Sequence, residues 1–155
     1  MTAKPPSDQV RTISRHSLAY VLGSIGELFR HYDFDPTDLL IIHAVMSANV
    51  LGVMRNPELD RQFGSVHTVE PDDLKKGVSR GTVSRFLNLP IETVRRRVDR
   101  LKKEGVLSEP DGLIVTEKNQ FKFGNNHELQ EINIVLVRKL LHDLAQAGVE
   151  IPGGV

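Results

Sequence analysis

The chain contains no cysteine in its 155 residues. That excludes disulfides, zinc sites with thiolate ligands and thiol-based redox sensing. It also lacks a long apolar run. The most apolar stretch, residues 39–54, is interrupted by His43, Ser47 and Asn49 and falls short of a spanning helix. The opening MTAKPPSDQVRTISRHS has no apolar segment of the kind a secretory signal needs. A cytoplasmic protein without membrane contact is expected. No nucleophile elbow, P-loop or dinucleotide fingerprint occurs, so no enzymatic activity is expected. The six histidines, His16, His31, His43, His67, His127 and His142, show no paired ligand spacing with Asp or Glu. No metal or other cofactor is expected from them.

Net charge is also missing: 20 basic residues balance 20 acidic ones. The distribution is uneven, however. From Lys75 to Lys103 there are ten basic residues against Glu92 and Asp99 alone, so this segment carries +8 and the remainder −8. Such segregation on a neutral chain is a local electrostatic footprint for a polyanion. With 39% apolar and 26% charged residues, the composition fits a soluble globular protein rather than a fully disordered one. The length fits one domain, residues 15–155, behind a flexible polar arm of residues 1–14.

Leu18, Leu22, Ile25, Phe29 and Tyr32 recur at spacings of three and four, which predicts an amphipathic helix over about 17–31. Asp35 and Pro36 form an N-cap and first-turn pair, opening a largely buried helix that should run from Pro36 to about Met54. Residues 55–78 show no sustained period, although Asp72 and Asp73 suit a short turn containing Leu74. Residues 116–126 read as loop. Asn125 and Glu128 resemble a capping box, and a last helix should follow over about 126–147. Its apolar residues, Leu129, Ile132, Leu136, Leu140 and Leu144 among them, cover more than half its circumference at about 100° per residue. A surface helix buries one stripe, so the width suggests packing on a second copy of the chain, the alternative being that helices one and two cover both sides within a monomer. The expected homodimer interface is Leu18, Leu22, Leu129, Ile132, Leu136, Leu140 and Leu144.

The most informative stretch is residues 79–116. Ser79 is placed to cap a helix through Leu87, with Val83, Phe86 and Leu87 as its apolar contacts. Asn88 sits where a tight turn requires a left-handed conformation, which Asn tolerates best after Gly. Pro90 suits the start of the next helix, residues 91–104, and Gly105 its C-terminal cap. Val94, Val98 and Leu101 fall within about 60° of one another and form a core face. Glu92, Thr93, Arg96, Arg100 and Lys103 project opposite. Val106-Leu107 and Leu113-Ile114-Val115, around the turn signal Glu109-Pro110-Asp111-Gly112, predict two short strands.

The run Val83-Ser84-Arg85-Phe86-Leu87-Asn88-Leu89-Pro90-Ile91-Glu92-Thr93-Val94 resembles the helix-turn-helix signature. Residues 97–107 resemble the end of a recognition helix and the first wing strand. The chain is thus similar to bacterial winged helix-turn-helix transcriptional regulators, and most to the MarR type. It departs from that type in a short wing tipped by Glu109 and Asp111 and in a single long helix after the wing. The resemblance implies a mainly α fold with a small β-hairpin wing over 79–116, flanked by dimerisation helices. It implies a sequence-specific regulator that binds double-stranded DNA as a homodimer, with helix 91–104 in the major groove. Arg96 would read a guanine edge, and Thr93 and Glu92 would be further base-edge candidates. Arg80, Arg85, Arg95, Arg100 and Lys103 would contact phosphate, with Pro90 at the approach to the groove. Arg97 lies nearer the core, where a carboxylate partner is the alternative. The resemblance also implies an effector pocket, but no residue points to a particular small molecule. Two alternatives stay open: a winged-helix protein-interaction module, and an RNA-binding protein.

Overall fold

The computed structural model describes residues 8–123 and 127–151. The chain divides into two compact units, Met1–Asp33 with Asn126–Val155, and Phe34–Asn125.

The first unit is a pair of long helices, α1 (Val10–His31) and α8 (His127–Gln146), packed on each other. Their cross-links run antiparallel. The Tyr20 hydroxyl meets Asn133 Oδ1 at 2.9 Å, His16 lies 4.0 Å from Asp143, and His31 lies 3.4 Å from Glu128. Gly23 faces α8, where an added Cβ would make ordinary contact with the Leu136 side chain at 3.6 Å. Neither helix buries a single side chain fully. α1 starts at Val10, earlier than its apolar period suggests and within the segment read as a flexible arm; residues 1–7 of that arm lie outside the described residues. The expected capping box is likewise not open to view, since Asn125 lies outside them.

The second unit is built on α2 (Pro36–Asn49). Asp35 caps it by accepting from the Thr37 N–H at 2.9 Å, and Leu39, Ile41, Ile42 and Val45 are wholly buried. The helix stops short of Met54 because the Asn49 carbonyl accepts the Lys76 N–H at 3.0 Å, across the chain instead of along the helix. A single turn, α3 (Leu51–Met54), follows. The unreadable segment contains α4 (Pro57–Gln62), capped by Asn56, and the expected short turn appears as a 3₁₀ turn over Asp72–Leu74. Then come α5 (Arg80–Leu87), α6 (Ile91–Lys103) and α7 (Glu117–Phe123). α7 occupies a stretch expected to be loop. Thr116 Oγ1 accepts the Asn119 N–H at 3.0 Å while Asn119 Oδ1 accepts the Thr116 N–H at 3.1 Å, a reciprocal cap that opens it.

The expected β-hairpin wing is absent. Among the described residues there is no strand and no sheet; only two isolated bridges occur, Val78 with Leu113 and Ser108 with Ile114. A wing strand exposes alternate residues, whereas Val106, Leu107, Leu113, Ile114 and Val115 are all buried. Beyond those two bridges, several of the neighbouring backbone groups bond elsewhere. Val106 N–H bonds to the Leu101 carbonyl at 2.9 Å. The fully buried Asn49 side chain donates to the Lys76 and Leu113 carbonyls at 2.8 and 3.0 Å and accepts from Val115 N–H at 3.0 Å. Lys75 Nζ takes the Val115 carbonyl at 2.9 Å. One buried amide and one lysine thus take the groups that would extend those bridges into a ladder, and residues 106–107 and 113–115 lie down as core.

Candidate nucleic-acid interface

α5 and α6 form a helix-turn-helix whose local geometry follows from the residue types. Ser79 Oγ accepts the Thr82 N–H at 3.0 Å and starts α5. Asn88 ends it at φ 54 and ψ 45, the left-handed conformation that turns the chain within one residue. Ser84 closes the corner, its hydroxyl donating to the Leu89 carbonyl at 2.6 Å. Pro90 immediately precedes α6, and Gly105, at φ 77, follows its C-terminal cap residue. Val94, Val98 and Leu101 are fully buried and fix the rotation of α6 about its axis. Of the apolar residues assigned to α5, Val83 is buried but Phe86 is 73% exposed.

With that rotation fixed, Glu92, Arg95, Arg96, Asp99, Arg100 and Lys103 line a shallow, open face of α6. Pro90 is exposed at its N-terminal end, while Thr93 is half-buried on the flank. The ten cations of the basic segment separate into two groups. Lys75, Arg80, Arg95, Arg97, Arg100 and Lys102 are each ion-paired. The side chains of Lys76, Arg96 and Lys103 have no hydrogen-bonding or ionic partner among the described residues, and exposed Arg85 contacts only the Thr82 hydroxyl at 3.2 Å.

Arg80 is the most heavily engaged. Its guanidinium meets both oxygens of Glu109 at 2.9 Å and Asp99 Oδ1 at 2.9 Å, and Lys102 holds the same Glu109 at 3.0 Å. The Arg80 hydrogen bonds, with help from Lys102, hold the Glu109 carboxyl far below its ordinary value, down to about 2. The turn that was expected to tip a wing is therefore folded back onto α5 and α6. Arg97 bonds Asp35 at 2.7 Å and Asp38 at 3.1 Å, and Arg100 also engages Asp38, whose side chain is only 4% exposed. Asp38 is a buried carboxylate on the first turn of α2, and its counter-charges come from α6. Burial without them would be prohibitive.

The sequence therefore placed α6, its buried seam and its exposed face, and anticipated a carboxylate for Arg97. It did not show that Asp35, Asp38 and Glu109, outside the segment or at its edge, neutralise arginines within it. Sequence separations of about sixty residues between Asp38 and its partners leave no local signal. Of the residues expected to pair two copies, Leu18 and Leu22 stand on the outer side of α1, 56% and 60% exposed. Leu129, Ile132, Leu136, Leu140 and Leu144 are half-buried on the α8 stripe that includes Leu136, the residue against Gly23 of α1. Among the described residues no group of three or more metal-binding side chains occurs, and no helix is long and apolar enough to cross a membrane. No protein-family model, curated protein or solved structure matches the chain.

Proposed function

We propose that the protein is a sequence-specific regulator that binds double-stranded DNA as a homodimer and lays α6 in the major groove. The observation that carries this reading is the placement of Arg96 and Lys103. Both stand uncompensated on the exposed face of a helix that is rotationally fixed by Val94, Val98 and Leu101 and presented by a tight αL turn. Arg96 reads a guanine edge through its fork, and Arg85 and Lys103 contact phosphate. Thr93 and Glu92 lie at the N-terminal half of α6, where side chains reach base edges. The chemistry is binding alone, without catalysis.

Salt dependence of duplex binding tests the reading quantitatively. The three uncompensated cations carried by α5 and α6, Arg85, Arg96 and Lys103, correspond to a log–log slope of about −3 per protomer. If Arg80, Arg95 and Arg100 also released their carboxylates to grip phosphate, the slope would steepen to about −5. Arg96→Ala is expected to cost about 1–3 kcal/mol and to relax preference at one base position, as read by selection from a random duplex pool. Lys103→Ala should weaken all sequences alike and flatten the slope by about one. Affinity that ignores salt, or preference for RNA hairpins over duplex DNA, overturns the proposal.

A further inference from the structure

The outer side of α1 has an unusual arrangement. Arg11, Arg15, Leu18, Leu22, Ile25 and Phe29 follow spacings of four, three, four, three and four, the seam of a helix that packs on another helix. On a helical wheel they lie opposite the stripe that faces α8, which contains His16, Tyr20, Gly23 and His31. Among the described residues most of the seam is open: Leu18 is 56% exposed, Leu22 60% and Phe29 39%, with Val21 beside them at 42%, while Ile25 is half-buried. Arg11 and Arg15 are exposed and form no ion pair among the described residues.

The seam is also symmetric about Tyr20. Leu18 and Leu22, Arg15 and Ile25, and Arg11 and Phe29 are equidistant from that residue. An interface between identical chains related by a two-fold axis must be self-complementary, residue i meeting j while j meets i. An antiparallel pair of α1 helices crossing at Tyr20 satisfies that condition at every seam position. Leu18 meets the partner's Leu22, Arg15 lays its aliphatic stem on the partner's Ile25, and Arg11 stacks on the partner's Phe29 ring. The parallel arrangement fails on charge, because it sets Arg11 and Arg15 against their own copies.

We infer that the occupant of this face is a second copy of the chain, whose α1 runs antiparallel to the first and crosses it at Tyr20. The inference rests on the homodimer reading above and adds to it an orientation and a register. It makes α1 the contact between copies, and it leaves the α8 leucines to intrachain packing.

The absence of cysteine makes the test direct. Arg11→Cys and Phe29→Cys lie about 27 Å apart along one helix, too far to join within a chain. The two variants are mixed under mild oxidation, with sedimentation and duplex binding measured on the same samples. Disulfide-linked dimers that contain one chain of each variant, with neither variant cross-linking to itself, are expected. Self-linked Arg11→Cys dimers, or dimers by sedimentation without mixed cross-links, overturn the register. A chain that sediments as a monomer overturns the homodimer as well, while salt-dependent duplex binding by that monomer keeps the DNA reading intact. Leu22→Glu, at an exposed position where folding is not at stake, should convert dimer to monomer; a dimer that survives it also overturns the inference.

Discussion

Arg80 lies in a basic segment and was expected to reach phosphate, yet the fold uses it as an internal tie. The decisive perturbation is Arg80→Gln beside Glu109→Gln and the double variant. Arg80 connects the first turn of α5 to the middle of α6 through Asp99 and to the 108–112 turn through Glu109. Both side chains of the forked pair are about three-quarters shielded, 22% and 24% exposed. A carboxyl held at about 2 instead of 4.5 corresponds to at most about 3 kcal/mol of stabilisation. Partial exposure, and the Lys102 contact that survives in the Arg80 variant, reduce this to about 1–2 kcal/mol. The coupling energy of the double-mutant cycle should fall in the same range.

The pH dependence has a definite sign. The folded-state value of Glu109 is depressed, so its contribution is complete above the ordinary carboxylate value of 4.5 and is lost as pH falls toward about 2. Urea unfolding followed by circular dichroism should show the native chain losing this increment between pH 5 and about pH 2, and Arg80→Gln losing correspondingly less. Duplex binding provides the contrary outcome. If Arg80→Gln leaves stability unchanged at pH 7 and flattens the salt slope by about one, Arg80 is a phosphate contact and the tie is refuted.

Three further substitutions probe the scaffold. Asn49→Ala removes three hydrogen bonds at a fully buried site and leaves Val115 N–H and the Lys76 carbonyl without them; a loss of about 3 kcal/mol or more in urea unfolding is expected. Gly77→Ala would place a Cβ 2.0 Å from the Asp111 carbonyl oxygen, so the backbone crossing at the Val78–Leu113 bridge must open; thermal unfolding should drop by several degrees or the chain should fail to fold. Arg97→Ala leaves buried Asp38 with Arg100 as its sole cation, and a cost of about 2–4 kcal/mol in chemical unfolding is expected, larger than for Arg95→Ala, whose partner Glu92 is 77% exposed.

The legible parts of the fold were those encoded locally. Ser79, Asn88, Pro90 and Gly105 each impose a backbone preference at one position, and together they delimit α5 and α6 within a residue of the observed ends. Asp35 with Pro36 did the same for the start of α2. The wing was not legible because Val106-Leu107 and Leu113-Ile114-Val115 have strand-like composition around a real turn, and composition cannot tell pairing from burial. What limits the pairing to isolated bridges is Asn49, more than fifty residues upstream, whose amide takes the Val115 N–H and shares the Leu113 carbonyl. α7 escaped for a related reason: its cap is an Asn in the place usually held by Glu or Gln, and it looks like loop until Thr116 is seen to reciprocate. Phe86 was assigned inward on helical spacing alone, and an eight-residue helix gives too few turns for spacing to fix a face.

The candidate site illustrates the same limit in charge instead of shape. A linear count makes residues 75–103 a strongly positive patch, but the fold supplies Asp35, Asp38, Asp72, Glu104 and Glu109 to it from outside that window. The remaining face of α6 alternates sign, with Glu92 and Asp99 among Arg95, Arg96, Arg100 and Lys103. A surface built only to grip phosphate would gain nothing from those acids, since each carboxylate repels the backbone it approaches. On a face that reads bases they are useful. Glu92 holds Arg95 at 2.7 Å, and a carboxylate beside the groove is repelled wherever phosphate takes the place of an amino-bearing base edge. If α6 binds duplex DNA as proposed, weak general attraction with one uncompensated arginine at the centre of the face would favour discrimination between sequences over affinity for any duplex, because the non-specific term is the one the internal carboxylates reduce.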